Sequence, residues 1–240
     1  DAFQKMFDVV IQLGAILAVI VLFFHKLNPF APSKNEGQKK QTWSLWFKVI
    51  VAVIPSAVIG LLFDEWINDK LYAENIRAYV VSATLIIYGI AFLFVEKGQK
   101  TARIDDVYAI DYRTALLIGA FQVLSLIPGT SRSGSTILGA ILLGVGRGAG
   151  AEFSFFMAIP TMLGASAIKL LKFLVSGAAF GFGELVILLV GTAVSFIVSM
   201  IAIKALMNYV RKHSFSAFGV YRIILGIVVL VYFAIKGIFA

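Results

Sequence analysis

Long apolar runs dominate this 240-residue chain and leave it few folds to adopt. Six runs approach or exceed the roughly 20 residues that cross about 30 Å of hydrocarbon as a helix. Because every backbone polar group must be paired inside lipid, such runs fold as helices rather than as open strands. The sequence therefore predicts an all-α polytopic membrane protein with about six spans, near residues 3–24, 45–63, 76–95, 152–175, 184–206 and 218–238.

The charged residues agree with a membrane location. Only 14% of the residues are charged, against roughly 25% in soluble domains. The net charge of +8 comes mainly from short loops, as the positive-inside rule requires, so a nucleic-acid partner is not expected. This rule places loops 25–44, 96–113 and 207–216 in the cytoplasm and both chain ends outside. The absence of cysteine excludes disulfides and thiol catalysis.

The topology makes segment 114–150 enter and leave the membrane on the same side. Two apolar arms, of about 14 and 10 residues, flank a polar loop at 128–136. As helices they would reach roughly 21 and 15 Å, which is too short to cross the bilayer. The segment is therefore predicted to form a re-entrant helix–loop–helix. Non-helical backbone at membrane depth is tolerated only against protein or water, so its tip should line a cavity.

The two halves of the chain resemble each other. Residues 7–15 (FDVVIQLGA) align with residues 157–165 (MAIPTMLGA), and the following spans match in order and approximate length. Three spans per half give the halves opposite orientations, as in inverted-repeat transporters. We predict repeat one at 1–97, a linker at 98–113 and repeat two at 114–240. A hairpin matching 114–150 would then precede the first span, and the chain as given would lack it and half of the site.

The loop PGTSRSGST at 128–136 carries the chemistry. An arginine at membrane depth costs about 2.5–3.5 kcal/mol, so Arg132 is a functional-site hypothesis, and its planar donor fork matches phosphate oxygens. Ser131, Ser133 and Thr136 are the catalytic candidates beside it, as hydrogen-bond donors or as a nucleophile. The alternative is structural, because serine caps helices and arginine can reach an interface. The substrate-binding candidates on the loop are Gly129, Thr130 and Gly134, where glycine lets a ligand approach the backbone.

Two further polar residues are candidates for substrate binding. Arg147 should lie where the outgoing arm reaches the cytoplasmic surface, as an interfacial anchor, a second phosphate contact or an ion-pair partner of Glu152. Gln12 lies inside an apolar span, where it is a site residue or makes an interhelical hydrogen bond. His25 and His213 lie at span ends, and no carboxylate lies deep in a span. The visible site can bind an anion but lacks an obvious general base or metal ligand.

The loop motif PGTSRSGST and the following GVGRGAGAEFSFFMAIP resemble the undecaprenyl-diphosphate phosphatase family of bacterial inner membranes, the bacitracin-resistance phosphatases. FDVVIQLGAILAV near the start and FGVYRIILG near the end resemble it too, so the similarity covers essentially the whole chain. It implies hydrolysis of undecaprenyl diphosphate to the monophosphate, which regenerates the lipid carrier for cell-wall polymers. It also implies that Arg132 binds the diphosphate, that Ser131, Ser133 and Thr136 line the same pocket, and that two re-entrant hairpins meet at mid-membrane.

This chain departs from the family pattern in one respect. The family carries a first motif, rich in glutamate, serine and histidine, upstream of the segment FDVVIQLG. Its residues are expected to supply the base and any contact to a divalent cation such as Mg²⁺ or Ca²⁺, and the sequence as given begins after it. We therefore expect this chain alone to fold but to be inactive. The implied partners are the polyprenyl diphosphate lipid, the bilayer and, as one option, a second copy in a homodimer.

Two other functions compete with hydrolysis. A secondary transporter or lipid flippase would bind a phosphate-type anion at the same loop without chemistry. A structural membrane subunit would bind no ligand. Phosphate release from the diphosphate lipid would support hydrolysis, and counterflow of labelled anion without hydrolysis would support transport. An Arg132→Ala variant with unaltered activity and binding would support the structural subunit.

Overall fold

A computed structural model describes residues 3, 7, 10–98, 102–175 and 181–238, and these residues are almost entirely helical. Two 3₁₀ turns, Val107–Ala109 and Leu124–Leu126, flank the fifth helix. Apart from one isolated bridge between Ile104 and Val145, the described ranges contain no β-structure. The helices are α1 Gln12–Leu22, α2 Phe24–Leu27, α3 Glu36–Leu71, α4 Glu74–Gly98, α5 Tyr112–Val123, α6 Arg132–Leu142, α7 Arg147–Val175, α8 Phe182–Lys212 and α9 Ser216–Ile238.

Five of the described helices contain stretches that are long and apolar enough to cross a membrane. This confirms the predicted all-α polytopic class. The first predicted span, 3–24, is described only in part: α1 covers 11 of its residues, and several others lie outside the described ranges. The five stretches are Glu36–Phe63, Ile76–Gly98, Arg147–Phe173, Phe182–Lys212 and Ser216–Lys236.

The chain divides into two compact units, and each takes segments from both halves of the sequence. The first unit comprises Asp1–Phe47 and Phe155–Tyr209, and the second comprises Lys48–Ser154 and Val210–Ala240. These boundaries differ from those of the predicted repeats at 97 and 113. The repeat over the whole chain stays a prediction.

In the first unit, close backbone packing joins α1 to α8. A Cβ at Gly14 would collide with the carbonyl oxygen of Thr192, so only glycine allows this approach. Phe23 directly follows α1, and its ring packs edge to face against the ring of Phe156 on α7, with the ring centroids 5.3 Å apart. Inside lipid the hydrophobic effect does not drive helices together. Close packing of small residues and of aromatic rings holds these helices instead.

A buried lysine fixes the segment between α2 and α3. The Lys34 ammonium donates hydrogen bonds to the carbonyl oxygen of Asn28 at 2.9 Å and to Thr42 Oγ1 at 2.7 Å. Burial lowers the pKa of Lys34 below its ordinary value. Trp46 Nε1 donates to the carbonyl oxygen of Leu27 at 2.8 Å and ties the end of α2 to α3. The loop 25–44 is therefore a folded element rather than a plain charged surface.

In the second unit, α4 and α9 cross at small residues. A Cβ at Gly89 would lie 2.6 Å from the carbonyl oxygen of Gly219, and one at Gly226 would lie 3.0 Å from that of Ser82. The contacts run in opposite directions along the two helices, which are therefore antiparallel. When residues 86–90 (IIYGI) are aligned with 223–227 (IILGI), Gly89 corresponds to Gly226 and Ser82 to Gly219. The contact of Gly89 with Gly219 then corresponds to the contact of Gly226 with Ser82. This local two-fold relation is what the predicted inverted repeat requires of these helices.

The predicted helix–loop–helix is present as α5, a loop and α6. The helices have 12 and 11 residues, or roughly 18 and 16 Å, and neither crosses 30 Å of hydrocarbon. Asp111 caps α5 by accepting the backbone N–H of Thr114 at 2.7 Å, and this hydrogen bond lowers the pKa of Asp111. The two arms touch where Gly139 faces the Phe121 ring, since a Cβ at Gly139 would lie 2.5 Å from it.

Candidate functional site

A tight turn forms the tip of the hairpin. The backbone N–H of Thr130 donates to the carbonyl oxygen of Ile127 at 3.1 Å, with Pro128 and Gly129 between them. Gly129 has φ of +81°, the value at the third position of a type II turn. A Cβ there would also lie 2.7 Å from Val81 Cα on α4. Both the backbone angle and the close approach therefore require glycine at this position.

Side chains from two other helices hold the turn. Thr84 Oγ1 on α4 donates to the carbonyl oxygen of Pro128 at 2.8 Å, and Arg222 Nη2 on α9 donates to that of Gly129 at 3.0 Å. The C=O and N–H of a trans peptide point in opposite directions. The N–H of Gly129 therefore faces away from Thr84 and can meet an anion on the other side of the turn.

The first turn of α6 follows directly. Ser131 is the N-cap, and its Oγ accepts the backbone N–H of Gly134 at 3.1 Å. Arg132 is the first residue of the helix and is partly buried, as is Ser133, whereas Ser131 is exposed. The positive end of the helix dipole and an arginine thus coincide at the tip, an arrangement that favours phosphate.

Two buried polar groups next to the turn have no hydrogen-bond partner among the described residues. They are Thr130 Oγ1 and Arg222 Nε. An unsatisfied buried donor costs about 1–3 kcal/mol, and more when the group is charged. Groups of this kind in a native site call for an explanation, and an anionic ligand supplies one.

Tyr88 joins the helices around the tip. Its ring lies under the Arg222 guanidinium, 5.6 Å from ring centroid to Cζ, and its hydroxyl accepts a hydrogen bond from Ser135 Oγ at 3.3 Å. Sequence reasoning singled out neither Tyr88, Arg222 nor Thr84. The rule that charges inside spans are functional would have found Arg222, because it lies within the predicted span 218–238.

Thr136 faces a neighbouring helix. Its Oγ1 lies 2.6 Å from Ser154 Oγ on α7 and 3.1 Å from the carbonyl oxygen of Arg132, and the residue is only 1% exposed. This geometry favours a packing role between α6 and α7. The catalytic role predicted for Thr136 stays a prediction.

Arg147 pairs with a different carboxylate from the one considered in the sequence. Its Nε donates to both oxygens of Glu96 at 3.0 Å, and its Nη2 also donates to Oε2. Glu152 lies instead 3.6 Å from Arg211. The ion pair with Glu152 is therefore wrong as to partner, and the Glu96 pair gives Arg147 a structural role. Its substrate contact stays a prediction.

The last two predictions concern Gln12 and a metal ion. Gln12 is exposed at the start of α1 and belongs to the first unit. Its binding role stays a prediction. Within the part of the chain that the structure describes, no three His, Asp or Glu side chains cluster so as to hold a metal ion. These residues alone do not fit a divalent cation.

Comparison with known proteins gives concordant matches. A family model described as bacitracin resistance protein BacA matches residues 1–228. An undecaprenyl-diphosphatase of Latilactobacillus sakei is 56% identical over 231 residues, covering 95% of this chain and 82% of that protein. One from Enterococcus faecalis is 54% identical over 232 residues, covering 96% and 83%. Undecaprenyl-diphosphatase 1 of Clostridioides difficile is 57% identical over 235 residues, covering 97% and 82%.

Proposed function

Since the chain belongs to the bacitracin resistance protein BacA family, we propose that the hairpin tip at 128–134 is where it binds the diphosphate of its substrate. The protein is a membrane enzyme that hydrolyses undecaprenyl diphosphate to undecaprenyl phosphate and phosphate, which recycles the lipid carrier for cell-wall synthesis. The observation that carries the proposed site is the pair of unsatisfied buried groups, Thr130 Oγ1 and Arg222 Nε, beside the turn that precedes Arg132.

The two arginines give the tip its charge. Arg132 stands at the N-terminus of α6, and Arg222 already holds the turn through the Gly129 carbonyl. A guanidinium can bind two phosphate oxygens at once, which fixes the orientation of the group as well as its charge. In phosphoryl transfer, negative charge is spread over the transferred group and the leaving oxygen. Fixed donors at the tip would stabilise that charge.

The backbone and hydroxyl groups of the tip complete the proposed pocket. Ser131 Oγ accepts a hydrogen bond from Gly134, so its own proton remains to donate to a phosphate oxygen. Ser133, Thr130 and the N–H of Gly129 add neutral donors on the same short segment. We propose these groups as substrate contacts, with Ser131 and Ser133 nearest the reacting phosphorus because they flank Arg132.

The family resemblance leads us to expect a divalent cation and a general base in the site. The same resemblance implies that the family's first motif supplies their ligands, and the described residues hold no cluster that fits a cation. No step of the proposed chemistry is therefore assigned to a metal. The described part of the site binds and orients the diphosphate and neutralises its charge.

Phosphate release from undecaprenyl diphosphate tests the site. The full-length protein is reconstituted in nanodiscs as wild type, Arg132→Ala and Arg132→Lys. Loss of one charge-assisted bidentate contact, at about 1.5–3 kcal/mol, predicts at least a tenfold fall in kcat/KM for Arg132→Ala. Arg113→Ala removes an exposed arginine at the start of α5 and serves as the matched control. Wild-type activity in Arg132→Ala would reject the proposed site.

Two finer expectations are also proposals. We propose that the protein lies in the bacterial inner (plasma) membrane with loops 25–44, 96–113 and 207–216 in the cytoplasm, supported by their basic residues. We also propose a homodimer as one assembly, since long helices such as α8 and α9 expose many large apolar side chains. Cysteine accessibility labelling checks the first, and cross-linking in native membranes checks the second.

A further inference from the structure

We propose that Tyr88 is a positioning residue for hydrolysis. It holds the Arg222 guanidinium and the first turns of α6 in place beside the hairpin tip. The inference rests on the proposed site at 128–134. Tyr88 lies 9% exposed on α4 and makes one contact to α9 and one to α6. It therefore joins the three elements that carry the charged and hydroxyl groups of the tip.

The face of α4 that carries Tyr88 is the face that holds the turn. Thr84 lies one helical turn before Tyr88 and donates to the carbonyl oxygen of Pro128. Val81, three residues earlier still, is the residue that Gly129 approaches closely. Residues three and four apart share a helix face. Tyr88 thus extends a continuous support for the tip along α4, rather than filling an unrelated part of the core.

The first task of Tyr88 concerns Arg222. The guanidinium uses Nη2 to hold the Gly129 carbonyl, while its Nε has no acceptor among the described residues. A long arginine side chain has many rotamers, and one hydrogen bond fixes its head only partly. A ring beneath the guanidinium restricts the head to one plane, and the attraction is stronger in a desolvated site than at a surface. Tyr88 thereby sets the direction in which the remaining donors point.

The second task concerns the N-terminus of α6. Ser135 Oγ donates to the Tyr88 hydroxyl, and it also lies 3.1 Å from the carbonyl oxygen of Ser131, the N-cap residue. The Ser135 hydroxyl thus lies between the phenol and the cap residue that precedes Arg132, and its single proton goes to one of the two acceptors at a time. At 3.3 Å the hydrogen bond between Tyr88 and Ser135 is long, so it is weaker than the contact of the Tyr88 ring with Arg222. The ring should thus matter more than the hydroxyl.

A double-mutant cycle in kcat/KM separates positioning from simple packing. Tyr88→Leu is expected to lower kcat/KM about tenfold in the wild-type background but less than about twofold in Arg222→Lys, because residues that act through one another are non-additive. Tyr88→Phe keeps the ring and should lose only about two- to fivefold. Phe153→Leu removes another fully buried ring, on α7, and its effect should add to that of Arg222→Lys.

Each outcome decides the proposal. Non-additivity for Tyr88 with additivity for Phe153 supports it, and additivity for both overturns it. Where Tyr88→Leu gives no folded protein, Tyr88→Met replaces it in the cycle with Arg222→Lys, and additive effects there overturn the proposal. Arg132→Ala runs in parallel: wild-type activity in that variant rejects the site itself. A strong loss in Arg132→Ala with an additive Tyr88 cycle rejects only the positioning role.

Discussion

Glu96 accepts hydrogen bonds from both the Arg147 guanidinium and the backbone N–H of Phe215. The carboxylate thus joins the end of α4, the start of α7 and the turn before α9. Its side chain is 2% exposed, whereas that of Arg147 is 32% exposed. An ion pair with one member this deeply buried cannot lose its partner without leaving an uncompensated charge.

Arg147→Gln should therefore destabilise the protein rather than weaken substrate binding. We expect a loss of roughly 3 kcal/mol, at the lower end of the cost of breaking a buried pair because Arg147 is partly solvated. Unfolding in detergent measures it, and the double variant Glu96→Gln/Arg147→Gln should recover part of the loss. Unchanged stability with a raised KM would instead make Arg147 a substrate contact.

Gly129→Ala should disrupt the tip. The positive φ and the close approach to Val81 leave no room for a Cβ, so the strain should cost at least about 1 kcal/mol and lower phosphate release strongly. Gly164→Ala is the matched control, because a Cβ at this helical position meets nothing within 4 Å. It should leave activity intact and raise the melting temperature slightly. Equal effects of the two substitutions would contradict the proposed turn.

Thr136→Val should act through packing. It leaves Ser154 Oγ buried without its partner, at a cost of about 1–3 kcal/mol, and Ser154→Ala in the same chain should restore part of the stability. The melting temperatures of the single and double variants measure this. A large fall in kcat without loss of stability would support the catalytic role that the sequence predicts for Thr136.

The cap of α5 should titrate at low pH. The hydrogen bond from the Thr114 N–H lowers the pKa of Asp111 from 3.8, so the folded state favours the carboxylate. Its contribution to stability is present above pH 3.8 and is lost as the pH falls through the lower folded value. Asp111→Asn keeps a cap but cannot titrate. Its melting temperature should fall less steeply with acid than that of the wild type, and parallel curves would contradict this cause.

The sequence predicted the elements better than their contacts. Span length and charge placement were enough for the all-α membrane class and for two short arms around the loop, and the family resemblance is confirmed by the match over residues 1–228. Glu96 was not predicted as the ion-pair partner of Arg147, because it falls one residue beyond the predicted span 76–95. Tyr88 and Thr84 were not predicted as site residues, because the sequence of an apolar helix does not show which residue a polar side chain in it contacts. Contacts across 44 to 93 residues, such as Thr84 to Pro128 and Arg222 to Gly129, depend on helix packing that periodicity does not encode.

We propose that the tip at 128–134 binds the diphosphate through Arg132. Equilibrium binding of a non-hydrolysable methylene-diphosphonate analogue of the lipid tests it without requiring turnover. The full-length protein is compared as wild type, Arg132→Ala and the control Arg113→Ala in nanodiscs of one composition. We predict at least tenfold weaker binding for Arg132→Ala, with the control unchanged. Equal affinity of wild type and Arg132→Ala would show that Arg132 does not bind the diphosphate.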